Sequence, residues 1–279
     1  MALDVACRGG DEKDASMNLD GFLRHIEACR TAALPGRRRA VRFRGAEVGF
    51  IAPETLAALG LPEADLDVPD QAAFDRYARV LCTGGVHRFR DEAFDVRDHD
   101  GRVAATLDRG ALPLFGIQAF GVHVNGLVEG GGGWSLWIGT RNPNKLLDPG
   151  KLDHLVAGGV PAGMSYDDTV IKEAAEEAGV PAWLAAQARR VGEIRYDMER
   201  PEGLRRDVLI CYDLIVPPDF APHPHDDEVV KFELWPVAQV VEAVRDTDQF
   251  KFNVNLVLID LFLRLGALDS DELRNALTG

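Results

Sequence analysis

Glu173, Glu176 and Glu177 stand within five residues of one another in VIKEAAEEAGVP, and Lys172 is their nearest basic neighbour in sequence. At about 100° per residue, a helix gathers the three carboxylates into a sector of about 100°. Ile171, Ala174, Ala175 and Ala178 fall on the opposite side, where they can pack against a sheet. Like charges at i and i+4 repel, so Glu173 and Glu177 weaken the helix slightly unless a cation joins them. Mg²⁺ or Mn²⁺, which take hard oxygen ligands, would remove that repulsion. The preceding AGGVPAG brings glycine backbone that can come close to such an ion or to a diphosphate. The same acidic run, taken alone, also suits a solvated helix face.

The helix that carries these residues has legible ends. Ser165 is a candidate N-cap with Asp168 three residues on, the S-x-x-D form of the capping box. Gly179 is a natural stop and Pro181 prevents continuation, so the spacing predicts a helix from Tyr166 to Ala178. Around it, FGIQAFGVHVNGLV and GGWSLWIGTRN alternate as strands about a glycine-rich turn, HLVAGGV is short and apolar, and VGEIRYDMER with RRDVLICYDLIVP reads as a strand pair. VVKFELWP is a strand that Pro236 ends, with a helix after it, and residues 255–268 are apolar on nearly all sides, as a buried helix is. The first third carries a helix in 17–32, one or two strands in 40–52, a short helix from Pro53, a helix in 70–85, and two strands joined at Asp100-Gly101. Strands mixed with helices predict a sheet with helices on its faces. The expected division is a polar tail (1–16), a small α+β unit (17–114) and the region of the acidic helix (115–279).

The 279 residues are 46% hydrophobic and 27% charged, a soluble globular composition, and no apolar run is long enough to span a bilayer. A net charge of −14 argues against nucleic acid as partner, which calls for a basic stripe. The one basic cluster, GRRRAVRFR, reads as a strand with a charged face. An acidic chain still binds a phosphorylated small molecule if a divalent cation offsets the repulsion. Cys7, Cys29, Cys82 and Cys211 are widely spaced and form no Cys-x-x-Cys pair, and the N-terminus has no hydrophobic signal core, so a cytoplasmic chain with idle thiols is expected.

The glycine loop and acidic helix together resemble the Nudix (MutT-like) box, G-x5-E-x7-R-E-U-x-E-E-x-G-U with U aliphatic. Gly158, Glu173, Glu176, Glu177, Gly179 and Val180 match it, Lys172 stands for the arginine and Ala174 for the first aliphatic residue. Met164 departs from it, standing where the box has its first glutamate. Over roughly Met17 to Gly266, PLFGIQAFGVHVNG, LDHLVAGGVPAGMS, VIKEAAEEAGVP, HDDEVVKFELWPV and FKFNVNLVLIDLFLRLG are similar to a Nudix subfamily with an uncharacterised N-terminal domain, related to thiamine diphosphate metabolism.

The resemblance implies a Nudix fold, a mixed sheet between helices, preceded by the small α+β domain. It implies metal-dependent hydrolysis of a diphosphate joined to another group, with Mg²⁺ (or Mn²⁺) as cofactor, a small-molecule diphosphate as partner, neither nucleic acid nor membrane, and the oligomeric state left open. Thiamine diphosphate or its oxidised analogues would be cleaved to the monophosphate. A nucleoside diphosphate derivative such as ADP-ribose is the alternative substrate, and Met164 motivates a non-catalytic diphosphate-binding module. Glu173, Glu176, Glu177 and the Gly158 carbonyl would hold the metal, and Lys172 would orient a glutamate. Glu228 in HPHDDEVVKF is the candidate base or extra ligand, with Asp226 and Asp227 as weaker alternatives; a local turn also explains this acidic triplet. Arg141 and Lys145 are candidate phosphate contacts beside the Gly158–Gly159 backbone, though they equally suit a solvated loop. His123 and His154 read as satisfied interior histidines, His223 and His225 lack a third zinc ligand, and Trp134 and Trp137 read as sheet residues ahead of a stacking platform.

Overall fold

Period-2 burial organises the main sheet. Along β11 (Gly203–Ile215), Val208, Ile210 and Tyr212 point to one face, while Leu209 and Cys211 point to the other. Both faces are therefore buried, which requires helices on each side. The computed structural model describes residues 18–279. The expected tail over 1–16 and Cys7 lie outside the described residues.

In chain order the elements are α1 (Asp20–Ala28), β1 (Arg39–Phe43), β2 (Ala46–Ile51), α2 (Pro53–Ala58), β3 (Leu66–Val68), α3 (Gln71–Thr83), β4 (Ala93–Arg97), β5 (Val103–Asp108), β6 (Gln118–Gly130), β7 (Gly133–Arg141), β8 (Leu152–Asp153), β9 (Val156–Gly159), α4 (Tyr166–Ala178), α5 (Ala182–Ala185), β10 (Arg189–Arg200), β11, β12 (Val229–Pro236), α6 (Val237–Asp246), α7 (Val254–Arg264) and α8 (Asp271–Thr278). The seven-stranded sheet runs β10-β11-β6-β7-β12, with β9 added to β6 and β8 to β7. The β11–β6 pair is parallel and the other pairs are antiparallel, so the sheet is mixed, as expected.

Two apolar layers sandwich this sheet. On one side α4 and α5 bring Val170, Ala174, Ala178, Leu184 and Ala185 against Val122, Val124, Val208 and Ile210. On the other, α7 buries Leu256, Val257, Leu258, Ile259, Leu261 and Phe262, apolar around its circumference as its sequence predicts. Phe22 and Ile26 of α1 pack into this second layer with α6, α7 and α8. Each fully buried side chain of this kind is worth about 1.5–3 kcal/mol. Thus α1, placed by sequence in the first unit, contacts the helices that close the main sheet. A third apolar cluster belongs to the small unit, where α3 and the β2-β1-β3 sheet enclose Phe43, Phe74 and Phe115. The β4–β5 hairpin joins that cluster through Phe94, Val96 and Leu107. Among the described residues, no helix is long and apolar enough to cross a membrane.

Candidate active site

The acidic helix folds with the ends its sequence dictates. The Ser165 hydroxyl accepts the Asp168 N–H at 3.1 Å, satisfying a donor at the start of α4. At the other end Gly179 takes φ 62°, a left-handed conformation that favours glycine, and the Val180 N–H closes on the Ala174 carbonyl at 2.9 Å. Val170, Ala174 and Ala178 are buried against the sheet, which fixes the rotation of the helix and directs Glu173 and Glu177 toward β9.

Glu177 is the most deeply placed of the three. It is 6% exposed, and one carboxylate oxygen accepts the Ala157 N–H of β9 at 2.9 Å. Burial pushes its pKa well above the ordinary Glu value; that hydrogen bond opposes the shift, and the negative charges of Asp153, Glu228 and Glu173 add to it. Glu173 lies against Gly158, where a β-carbon would run into its carboxylate, so only glycine permits this approach. Its pKa is also raised, mainly by burial, with Lys172 pulling the other way. Lys172 donates to Glu173 at 2.8 Å and to Glu176 at 2.7 Å. Burial alone would lower its pKa, but these two carboxylates raise it. The resulting arrangement is one ammonium between two carboxylates, with a third carboxylate buried and repelled by its neighbours. Glu173 and Glu176 meet through Lys172, whereas Glu177 meets β9. Among the described residues no three His, Cys, Asp or Glu side chains converge on one point.

A second acidic loop faces this helix. Lys145 pairs with Glu228 at 2.7 Å, and Asn142 pins the loop by donating from its backbone to the Glu228 carbonyl and from its side chain to the Asp227 carbonyl, each at 2.9 Å. Asp226 accepts the Glu228 N–H at 2.8 Å and so closes a local turn. Its pKa is raised by burial, with the charges of Glu228 and Glu176 adding to the shift. Asn142, Asn144, Lys145, Asp226, Asp227 and Glu228 line an open cleft of about 640 Å³.

Arg141 is placed otherwise than expected. It is 7% exposed and donates to Asp153 at 2.7 Å, to the Leu147 carbonyl at 3.0 Å and to the Asp148 carbonyl at 3.2 Å. With every guanidinium nitrogen engaged in the interior, it is a structural cation, and the expectation of a phosphate contact is corrected. The remaining sequence candidates also have structural settings. His123 and His154 are buried edge to face with ring centroids 5.2 Å apart, and burial pulls the His154 pKa down to about 4. The His223 N–H donates to the Ala178 carbonyl at 3.1 Å, sealing the end of α4. Trp134 and Trp137 pack onto the two apolar layers.

One set of neighbours carried no sequence signal. Phe94 and Arg109 of the β4–β5 hairpin cover Gly159, the Ala93 carbonyl accepts the Ala162 N–H at 2.7 Å, and Asp95 accepts the Gly163 N–H at 3.2 Å. These residues come from a unit whose sequence shows no chemical constellation of its own.

A sequence profile of the family described as "NUDIX domain" matches residues 120–255. Residues 120–255 carry a Nudix domain. Two Arabidopsis thaliana proteins resemble the chain over a longer span. Nudix hydrolase 20, chloroplastic, is 45% identical over 184 residues, covering 66% of this chain and 49% of that protein. Nudix hydrolase 24, chloroplastic, is 43% identical over 208 residues, covering 73% of this chain and 57% of that protein. The chain thus spans about half the length of the curated relatives it matches. Among solved structures, DR0079 from Deinococcus radiodurans aligns with 60% of this chain and 97% of its own, at a TM-score of 0.48 and 21% identity. The names of the plant relatives overturn the cytoplasmic expectation, since both are chloroplastic proteins. Idle thiols report only a reducing environment and do not distinguish among compartments that share it.

Nudix hydrolases in general use divalent metals, and the box residues here fit such an ion on chemistry. Glu173 and Glu177 are hard oxygen donors whose ionised forms are disfavoured chiefly by burial, a cost that a divalent cation beside them would offset. Lys172 already places a cation between Glu173 and Glu176. The missing side chain at Gly158 leaves its backbone open beside Glu173. Gly158→Ala is therefore expected to displace the Glu173 carboxylate while leaving the fold intact. Metal affinity should fall about tenfold to a hundredfold, with the melting temperature of the metal-free chain little changed, as read by calorimetric metal titration beside thermal melting.

Proposed function

We propose that this chain is a metal-dependent diphosphatase, cleaving a diphosphate joined to another group. The observation that carries this reading is the position of the box carboxylates: Glu177 is buried on the Ala157 N–H and Glu173 is pressed onto Gly158, both beside the glycine strand. Glu173, Glu176, Glu177 and the Gly158 carbonyl would hold Mg²⁺, or Mn²⁺ in its place. The ion would supply charge neutralisation at the phosphates and an acidified water. Lys172 orients Glu173 and Glu176. Glu228, held by Lys145 at the cleft, is the candidate base, and Lys145 and the Gly158–Gly159 backbone are the candidate phosphate contacts. Thiamine diphosphate and its oxidised analogues, cleaved to the monophosphate, are the first substrates to test, on the resemblance of motifs along the chain. ADP-ribose and related nucleoside diphosphate derivatives are the second, because the box handles the diphosphate whatever group it bears.

Met164 favours a further reading, a module that binds a diphosphate without turning it over, since its thioether offers no hard ligand at that box position. A panel of thiamine diphosphate, its oxo and oxy analogues, ADP-ribose and NADH, incubated with Mg²⁺ and separately with Mn²⁺, decides between them. Release of a monophosphate from at least one member, dependent on metal and lost in Glu176→Gln, is the expected result. Metal-dependent binding with no product in any lane would make the chain a binding module.

A further inference from the structure

We propose that the β4–β5 hairpin forms a second wall of the diphosphate site and that Arg109 contacts a substrate phosphoryl group there, exchanging Glu92 for it. This rests on the diphosphate reading above. The hairpin is tied to the glycine loop at consecutive residues, through the Ala93 carbonyl to the Ala162 N–H and through Asp95 to the Gly163 N–H. Phe94 fills the space over Gly159, and the Arg109 guanidinium carbon lies 3.4 Å from where a Gly159 β-carbon would be. Glu173 lies against Gly158 and Arg109 against Gly159, consecutive residues of β9. Arg109 donates to Glu92 at 2.9 Å. Arg109 and its partner Glu92 thus stand next to the glycine pair that the box carboxylate also touches.

Arg109 joins Lys145 as a cation that can turn to a phosphoryl group, whereas Lys172 already bridges two carboxylates and Arg141 is enclosed. Arg109 is 51% exposed, and among the described residues its side chain has one hydrogen-bonded partner, Glu92. Its guanidinium sits 5.5 Å from the centre of the Phe94 ring, which limits the directions it can take. A planar guanidinium with unused donors suits bidentate contact with phosphoryl oxygens. Breaking an exposed pair with Glu92 gives up little, because such pairs are weak in water.

The probe is methylenediphosphonate, a diphosphate analogue whose bridging carbon resists hydrolysis, titrated with Mg²⁺ into the full chain by calorimetry. Arg109→Ala is expected to weaken its binding about tenfold or more, with Arg109→Lys in between and the melting temperature unchanged. Arg102→Ala, at the exposed far end of the hairpin, should bind as the wild type does. With the substrate found by the panel, Arg109→Ala should raise KM more than it lowers kcat. Wild-type affinity in Arg109→Ala, or a wild-type chain that does not bind the probe, overturns the proposal. Should Arg109→Ala fail to fold, Arg109→Lys decides by the same criterion. A wild-type chain that binds the probe through Arg109 but hydrolyses nothing would remove the hydrolase reading and leave the Arg109 contact standing.

Discussion

Glu177→Gln should melt no lower than the wild type in the absence of metal, yet turn over its diphosphate substrate about a hundredfold more slowly, or worse. The two halves of this expectation have one cause. Glu177 is buried, among the described residues its carboxylate takes one hydrogen bond, from the Ala157 N–H, and it stands in the field of Asp153, Glu228 and Glu173. Its folded pKa therefore lies above the unfolded value. As pH rises past the ordinary Glu range, the unfolded chain releases this proton before the folded chain does, so Glu177 subtracts stability on the alkaline side of that range. Glutamine accepts the same backbone N–H and has no proton to release. The advantage of Glu177→Gln in the metal-free state should thus grow as pH rises above the ordinary Glu range. A bound divalent ion reverses the sign for the wild type, because it stabilises the ionised carboxylate and adds its binding free energy to folding. Thermal melts with and without Mg²⁺ should show a metal-induced rise in the wild type and a much smaller rise in Glu177→Gln. A Glu177→Gln chain that keeps both its turnover and its metal-induced rise would remove Glu177 from the ligand set.

What the sequence announced here was local. Ser165, Gly179 and Pro181 define both ends of α4 because capping and left-handed backbone depend on residues within one turn. Period-2 alternation found the long strands, and the all-round apolar pattern of 255–268 found α7, for the same reason. Long-range packing was not legible. Amphipathic spacing says that α1 hides Phe22 and Ile26 but not against what, so its contact with α6, α7 and α8 had to come from the structure. Residues 271–278 form α8, an element absent from the expectations although Leu273, Ala276 and Leu277 recur at helical spacing behind the Ser270 N-cap. At the site, the box glutamates were legible because one helix carries them, whereas Phe94, Asp95 and Arg109 reach the glycine loop from a different unit. Arg141 illustrates the opposite failure. An arginine in a polar loop sequence suggests solvent or phosphate, and nothing local reveals that Asp153, on the neighbouring strand, holds it inside.

That enclosure leads to the second large effect, which is on stability. Asp153→Ala is expected to destabilise the chain by about 3–5 kcal/mol, because it leaves Arg141 buried without its carboxylate. For a chain of this size the melting temperature should fall by roughly 10 °C. Burial alone would raise the Asp153 pKa, but Lys251, His154 and Arg141 together hold it below the usual carboxylate range, so at neutral pH it is the anion of the cluster. Its Oδ1 also accepts the His154 N–H at 2.9 Å, a bond that alanine cannot replace. Lys251, 3.5 Å from Asp153, is less exposed to the loss, since burial already lowers its pKa and it can give up its proton. Arg141 cannot deprotonate and must stay charged. Removing both charges together, as Arg141→Met with Asp153→Leu, should therefore recover much of the loss, as apolar replacements of buried ion pairs often do. Arg141→Ala alone should lower the melting temperature while leaving KM near the wild-type value at temperatures where it is folded. If Arg141→Ala instead raises KM about tenfold at an unchanged melting temperature, the guanidinium belongs to the substrate after all, and the buried pair is not what holds this corner of the sheet.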